Sequence, residues 1–469
     1  MSLLIANKLS RFRRDLKSAL IGTDADYTSV SLKRALFLLA IPMVLEMVME
    51  SIFALADIFF VSRLGADAIA VVGITESMMT IIYALGIGLS MATTAIVSRR
   101  MGEKNPDEAS YVVFQAIFIG FIISMIIGIP GFIYAENLLK SMGSSQAMIS
   151  QGADYTAIML GGNFIIVWLF IINAVFRSSG DPAISMRVLI FANLLNIVLD
   201  PCLIFGLGPF PELGLKGAAI ATNIGRGAAV VYQLCLLFNG KNRIKLTRKH
   251  IKIRLSILFE IVRLSAGGVA QNIIATSSWV IMIRLLSVFG SQIVAGYTIA
   301  IRIIVFALLP SWGLSNAAST LVGQNLGAKR PDRAEKSVWI TAFINAAFMA
   351  FVGSLLIIFA EYFIRFFSND FEVIYYGKKC LYFIVSGFVF YAFGMVMVQA
   401  FNGAGDTKTP TIINIFCFWL LEVPLAYLFS IHFDMKENGV YTAILIAESL
   451  LAIIGIIVFR RGKWKLVRV

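Results

Sequence analysis

Twelve predominantly apolar stretches, each of about 20 residues or more and so long enough to cross a bilayer's hydrocarbon core, follow one another along the chain. They run near 35–61, 68–98, 110–134, 152–176, 183–207 and 216–238, then near 256–289, 292–322, 336–360, 375–402, 410–431 and 438–459. In hydrocarbon a backbone must satisfy its own polar groups, so each stretch is predicted to be a helix. The chain is therefore expected to be an all-α integral membrane protein with twelve transmembrane helices. Composition agrees: 59% of the 469 residues are hydrophobic and 14% charged, where a soluble domain carries roughly 25% charged residues. Spans 1, 2, 7 and 8 exceed the length needed, which implies tilt or extension beyond the bilayer.

Lys and Arg are divided unequally between the loops. With the N-terminus inside, 29 of 40 fall on the terminus-bearing side and 7 on the other, a bias that predicts cytoplasmic N- and C-termini in an inner (plasma) membrane. The net charge of +13 is then a matter of topology and of anionic lipid headgroups, and no nucleic-acid partner is expected. Residues 1–34 read as a basic cytoplasmic arm, 35–238 as a first lobe, 239–255 as a basic connector, 256–459 as a second lobe and 460–469 as a basic tail. The four cysteines show no metal-ligand spacing and read as reduced packing residues.

The chain matches itself at one offset. "GLS" at 88–90 returns at 313–315, Gly102 and Pro106 answer Gly327 and Pro331, and "FRSSGD" at 176–181 answers "FNGAGD" at 401–406, each pair 225 residues apart. An offset holding six spans returns the chain to the same side, so two parallel six-helix repeats are expected around a central cleft, the architecture of alternating-access carriers.

Carboxylates mark the first repeat. At about 100° per residue, Glu46, Glu50 and Asp57 share one face of span 1. Each costs at least ~2.5–3.5 kcal/mol at mid-bilayer, so that face requires a wet cavity, a bound cation or protons. Pro42, about one turn earlier, is placed to kink the helix. Counting from the loops, Asp57, Asn196, Asp200 and Thr222 fall at similar depth, and Asn196 and Asp200 are one turn apart. Two carboxylates, an amide carbonyl and a hydroxyl suit a small hard cation, or a shared proton. Asp200 also precedes Pro201, where it can simply cap or kink the span, and Asn196 can act as interhelical glue. One of Glu46 and Glu50 is expected to pair with a base such as Arg226 and the other to line a cavity attractive to cations, with Glu76 of span 2 as a further contributor.

"IPMVLEMVMESIFALADIFFVSRLGADAIAVVGI", "FRSSGDPAISM", "NIVLDPCLIFGLGPFPELGLKGAAIATNIG" and "FNGAGDTKTP" resemble corresponding segments of the multidrug and toxic compound extrusion (MATE) transporters, closest to the DinF-like and archaeal-type branch. The resemblance spans essentially the whole membrane domain. It implies antiport of H+ or Na+ against amphipathic, often cationic, organic compounds. It also implies a cation site at Asp57, Asn196, Asp200 and Thr222, a bending first helix at Pro42 and a cavity asparagine at Asn173. Two departures stand out: Glu50 occupies a position where the family often has glutamine, and the second-lobe acids of spans 7 and 10 used by the NorM-like branch are absent.

The expected function is thus ion-coupled multidrug efflux by a chain acting as a monomer, with no cofactor beyond a bound Na+. A flippase or exporter of lipid-linked or other amphiphilic metabolites is the main alternative; it needs cationic side chains for phosphate, whereas the first half is acid-rich. An intramembrane enzyme is disfavoured, since His250 and His432 lie in loops and no HExxH or GxSxG pattern occurs.

Overall fold

The computed structural model describes residues 2–240 and 242–469, with the side chains of 2–9 and 11 left aside. Met1 of the arm and Lys241 of the connector lie outside the described residues. Among the described residues there is no strand, and twelve membrane-length spans follow an N-terminal helix, Ser2–Ile21. In the first half the spans are Leu32–Ser62, Ala66–Gly102, Pro106–Ile133, Gln146–Ser179, Pro182–Phe205 and Leu215–Phe238. The second half holds Leu255–Leu286, Ser291–Gly327, Pro331–Ile358, the bent pair Phe371–Ser386 and Phe388–Ala404, then Lys408–His432 and Glu437–Arg460.

Helix starts follow elementary capping chemistry. Pro106, Pro182 and Pro331 each open a span, where a missing N–H costs nothing and a fixed φ is already helical. The Asn105 side chain accepts from the Glu108 N–H at 3.1 Å. The 225-residue offset recurs in the helix ends themselves: Ala66–Gly102 answers Ser291–Gly327, and Pro106–Ile133 answers Pro331–Ile358. Spans 4 and 10 differ from the uninterrupted helices predicted at 152–176 and 375–402. They start earlier and break at the equivalent Gly162 and Gly387, the second with a 55° bend. At the first break the Asn163 amide donates to the Leu160 carbonyl at 2.6 Å and to the Ser124 carbonyl at 3.1 Å, satisfying backbone groups that the interruption frees. Span 11 widens into π-turns over Ile415–Glu422 and Leu428–His432. Pro424 between them has no N–H to donate and crowds the carbonyl four residues back, a common cause of such widening. Span 1, by contrast, runs through Pro42 as one helix.

With twelve spans both termini lie on one face. Close approaches between the halves cluster toward that face. A Cβ at Gly102 would collide with the Gln324 carbonyl, one at Gly327 with the Arg99 carbonyl, and one at Gly88 would lie only 2.8 Å from the Ser265 carbonyl of span 7. Gln324 Nε2 donates across the seam to the Ser178 carbonyl at 2.9 Å. Residues 23–30 lie over this seam as a strap. Tyr27 donates its hydroxyl to the Gly180 carbonyl at 3.0 Å, Arg243 reaches the Thr23 and Ala25 carbonyls, Arg330 reaches that of Thr28 at 2.8 Å, and Arg333 those of Tyr27 and Val30. Beside it, burial pushes the Asp181 carboxyl up to about 6 against the pull of Arg243, its partner at 3.4 Å.

Candidate functional site

Glu46, Glu50 and Asp57 share a face of span 1, yet each meets different chemistry. Glu46 is almost fully buried and accepts at Oε1 from Arg177 Nη1, at the end of span 4, over 2.7 Å. Glu50 accepts at Oε1 from Arg226 Nη2 of span 6 over 3.2 Å, and the Arg226 guanidinium lies above the Phe53 ring, 4.6 Å from its centroid. The sequence predicts one free glutamate here; the structure pairs both, because spans 4 and 6 each bring a buried arginine to span 1. Arg177 sits in the "FRSSGD" segment, where turn chemistry masks a charge in the last helical turn.

These two pairs border a cavity of about 240 Å³ between the halves. Its wall is otherwise largely apolar, with Met47, Met91 and Phe170 from the first half and Leu309 and Trp312 from the second. Asn173 also lines it, holding its Oδ1 in a 2.6 Å hydrogen bond from Gln233. Glu76 is not on this wall; it accepts a 3.3 Å hydrogen bond from the Tyr83 hydroxyl within span 2. The acid-rich first half therefore presents cationic side chains to the cavity too, which removes the sequence-based objection to a phosphate-bearing cargo.

A second cluster lies outside the cavity wall. Asn196 Nδ2 donates to Asp200 Oδ1 at 3.2 Å and to Thr222 Oγ1 at 3.4 Å, so one amide joins spans 5 and 6. All three side chains are buried, and Asn196 Oδ1 and Asp200 Oδ2 have no hydrogen-bond partner among the described residues. An orphaned carboxylate oxygen and an orphaned amide oxygen in one buried cluster fit a proton or a small hard cation, either of which relieves the desolvation cost. Asp57 makes no hydrogen bond to the other three among the described residues. It lies within electrostatic reach of Asp200, Glu76 and Arg226. The four residues grouped by depth thus form a bonded trio with one charged neighbour. Thr222 and Arg226, one turn apart on span 6, connect this cluster to the Glu50 pair bordering the cavity.

The sequence profile of the MatE family matches residues 42–202 and 269–428. The chain is 25% identical over 431 residues to the "Probable multidrug resistance protein YoeA" of Bacillus subtilis, covering 91% of this chain and 93% of that protein. It superposes with a TM-score of 0.87 and 26% identity on a MOP superfamily transporter from Pyrococcus furiosus described as having a binding pocket of reverse polarity; 94% of this chain and 98% of that one are covered. A multidrug resistance MATE family transporter in an outward-facing conformation gives a TM-score of 0.88 at 25% identity, over 94% and 98% of the two chains. The chain is a multi-pass membrane transporter belonging to the MatE family.

Proposed function

We propose that the chain exports amphipathic organic compounds across the inner (plasma) membrane by antiport with H+ or Na+, its termini facing the cytoplasm. The observation carrying the coupling is the pair of orphaned oxygens on Asn196 and Asp200, bonded to Thr222 and facing the charge of Asp57. An ion entering from the side opposite the termini neutralises this cluster. The same span 6 then transmits the change through Arg226 to Glu50 at the cavity, and affinity for the cargo falls. Coupling equals the difference in cargo affinity between the ion-bound and ion-free states, and it is reciprocal. The multidrug resistance names of the relatives support the cargo being varied and amphipathic. A preference for cations is not carried over from the family resemblance, because each cavity glutamate already holds a guanidinium.

Proteoliposomes loaded with fluorescent amphiphiles of either charge test this reading. Efflux is expected under an imposed proton or sodium gradient, and Asp200→Asn is expected to cut it at least about tenfold, the effect of roughly 1.4 kcal/mol of lost coupling. Undiminished uphill efflux in both Asp57→Asn and Asp200→Asn sinks the assignment.

A further inference from the structure

The charges that touch the cavity are not the charges counted along the helices. Glu46 belongs to the cavity lining but is only 1% exposed, and its Oε2 has neither solvent access nor a partner. Arg177 and Arg226 are each about nine-tenths buried, and both belong to the cavity lining. A guanidinium carries five N–H donors and accepts nothing. Arg177 spends one hydrogen bond on Glu46 and Arg226 one on Glu50, and no unpartnered nitrogen of either guanidinium is sealed off from solvent. Of the four ionised residues on the lining, the two guanidiniums keep several donors unspent, whereas Glu46 and Glu50 each have one oxygen engaged and only Glu50 keeps its other oxygen open to solvent.

We propose that the cargo is an amphiphile bearing an oxyanion, a carboxylate or a phosphate, seated against Arg177 with its apolar body on the Phe170, Leu309 and Trp312 wall. The proposal rests on the export reading above and names the class of its cargo. Planar, forked donors match an oxyanion with two parallel hydrogen bonds. Arg177 keeps donors unspent because its counter-ion engages only Nη1, which holds the guanidinium in place without exhausting it. A cationic head group finds less: the unpaired Oε2 of Glu46 is sealed from solvent, which leaves the Oε2 of Glu50 as the one unspent carboxylate oxygen against several unspent guanidinium donors.

Equilibrium binding to the purified full-length chain, independent of any gradient, tests this with dansyl-labelled alkyl probes identical but for a carboxylate, phosphate monoester or trimethylammonium head. At least one oxyanion probe is expected to bind about tenfold or more tighter than the trimethylammonium probe; which oxyanion wins separates carboxylate cargo from phosphate or lipid-linked cargo. Arg177→Gln should abolish the difference, and Glu46→Gln, which frees the remaining donors, should widen it. Should Arg177→Gln fail to fold, the double variant Glu46→Gln/Arg177→Gln removes the charge without stranding its partner, and Arg177→Lys keeps charge while losing the fork. Equal or tighter binding of the trimethylammonium probe, or a preference unmoved by every Arg177 variant, overturns the proposal. Head-group preference without gradient-driven efflux would sink the export reading alone; efflux of cations without oxyanion preference would sink only this one.

Discussion

Each ion pair on span 1 joins residues far apart in sequence, Glu46 to Arg177 and Glu50 to Arg226. Removing one partner of a buried pair leaves an uncompensated charge, at a cost of about 3–5 kcal/mol. Arg177→Met should accordingly lower the apparent Tm sharply in detergent, while Glu46→Met/Arg177→Met should recover most of the loss. The acids themselves are legible from sequence, because a carboxylate in an apolar stretch announces itself and a 100° turn per residue puts three on one face. Their partners are not, since nothing local says which distant arginine packs against which turn of span 1. Asp181 supplies a test by pH. Its folded pKa of about 6 lies above the unfolded value of about 3.9, so the fold disfavours its ionised form. That destabilising contribution grows as pH rises between those two values, is fully present above 6, and is relieved on acidification. Asp181→Asn should raise thermal stability at pH 7 and leave it nearly unchanged near pH 4, as a thermal-shift series across this range would register.

Among the helices, type and number follow from length and hydropathy, and the repeat follows from matched glycines and prolines. What sequence reading misses is interruption within a span. Gly162 and Gly387 break spans 4 and 10, yet a glycine inside a largely apolar stretch looks like continuous helix until Asn163 is seen capping back onto Leu160. The short helices Ala135–Ser141 and Ala360–Arg365 likewise lie within what sequence alone marks as loops. The seam between spans 2 and 8 is tight enough to test directly. Gly102→Leu must push a side chain into the Gln324 backbone, and overpacking of this kind costs about 1–3 kcal/mol. Because the clash exists only when the halves are closed at this end, the variant should also increase labelling of a cysteine introduced at Ser178, beneath the seam.

At the scale of the molecule, the two terminal segments play matched parts. Tyr27 covers the turn at Gly180, where φ is +98°, and Val469 covers the equivalent turn at Gly405, where φ is +85°. The tail is tied further by Arg99, which donates to the Val467 carbonyl at 2.8 Å. A strap bound to Gly180 and Arg243 on one half and to Arg330 and Arg333 on the other must let go before the halves part on that face. Bridging Lys104→Cys to Lys329→Cys across the seam with a thiol crosslinker that reducing agent can cleave is expected to stop efflux, and reduction to restore it. Duplication and cleft are legible in the sequence. The strap is not, because its hydrogen bonds run from arginine side chains to main-chain carbonyls, which any residue type supplies.

The pairing on span 1 also sets an order of manufacture. Glu46 leaves the ribosome 131 residues ahead of Arg177, and Glu50 leaves 176 residues ahead of Arg226. During synthesis span 1 is therefore an acidic helix with no base to answer it, poorly suited to lie alone among lipid tails. Glu46 can be answered by its own chain once the fourth span has emerged, and Glu50 only once the sixth has. The first half thus matures in two steps, while its first helix waits in the insertion machinery or at the wet edge of the bilayer for partners not yet made.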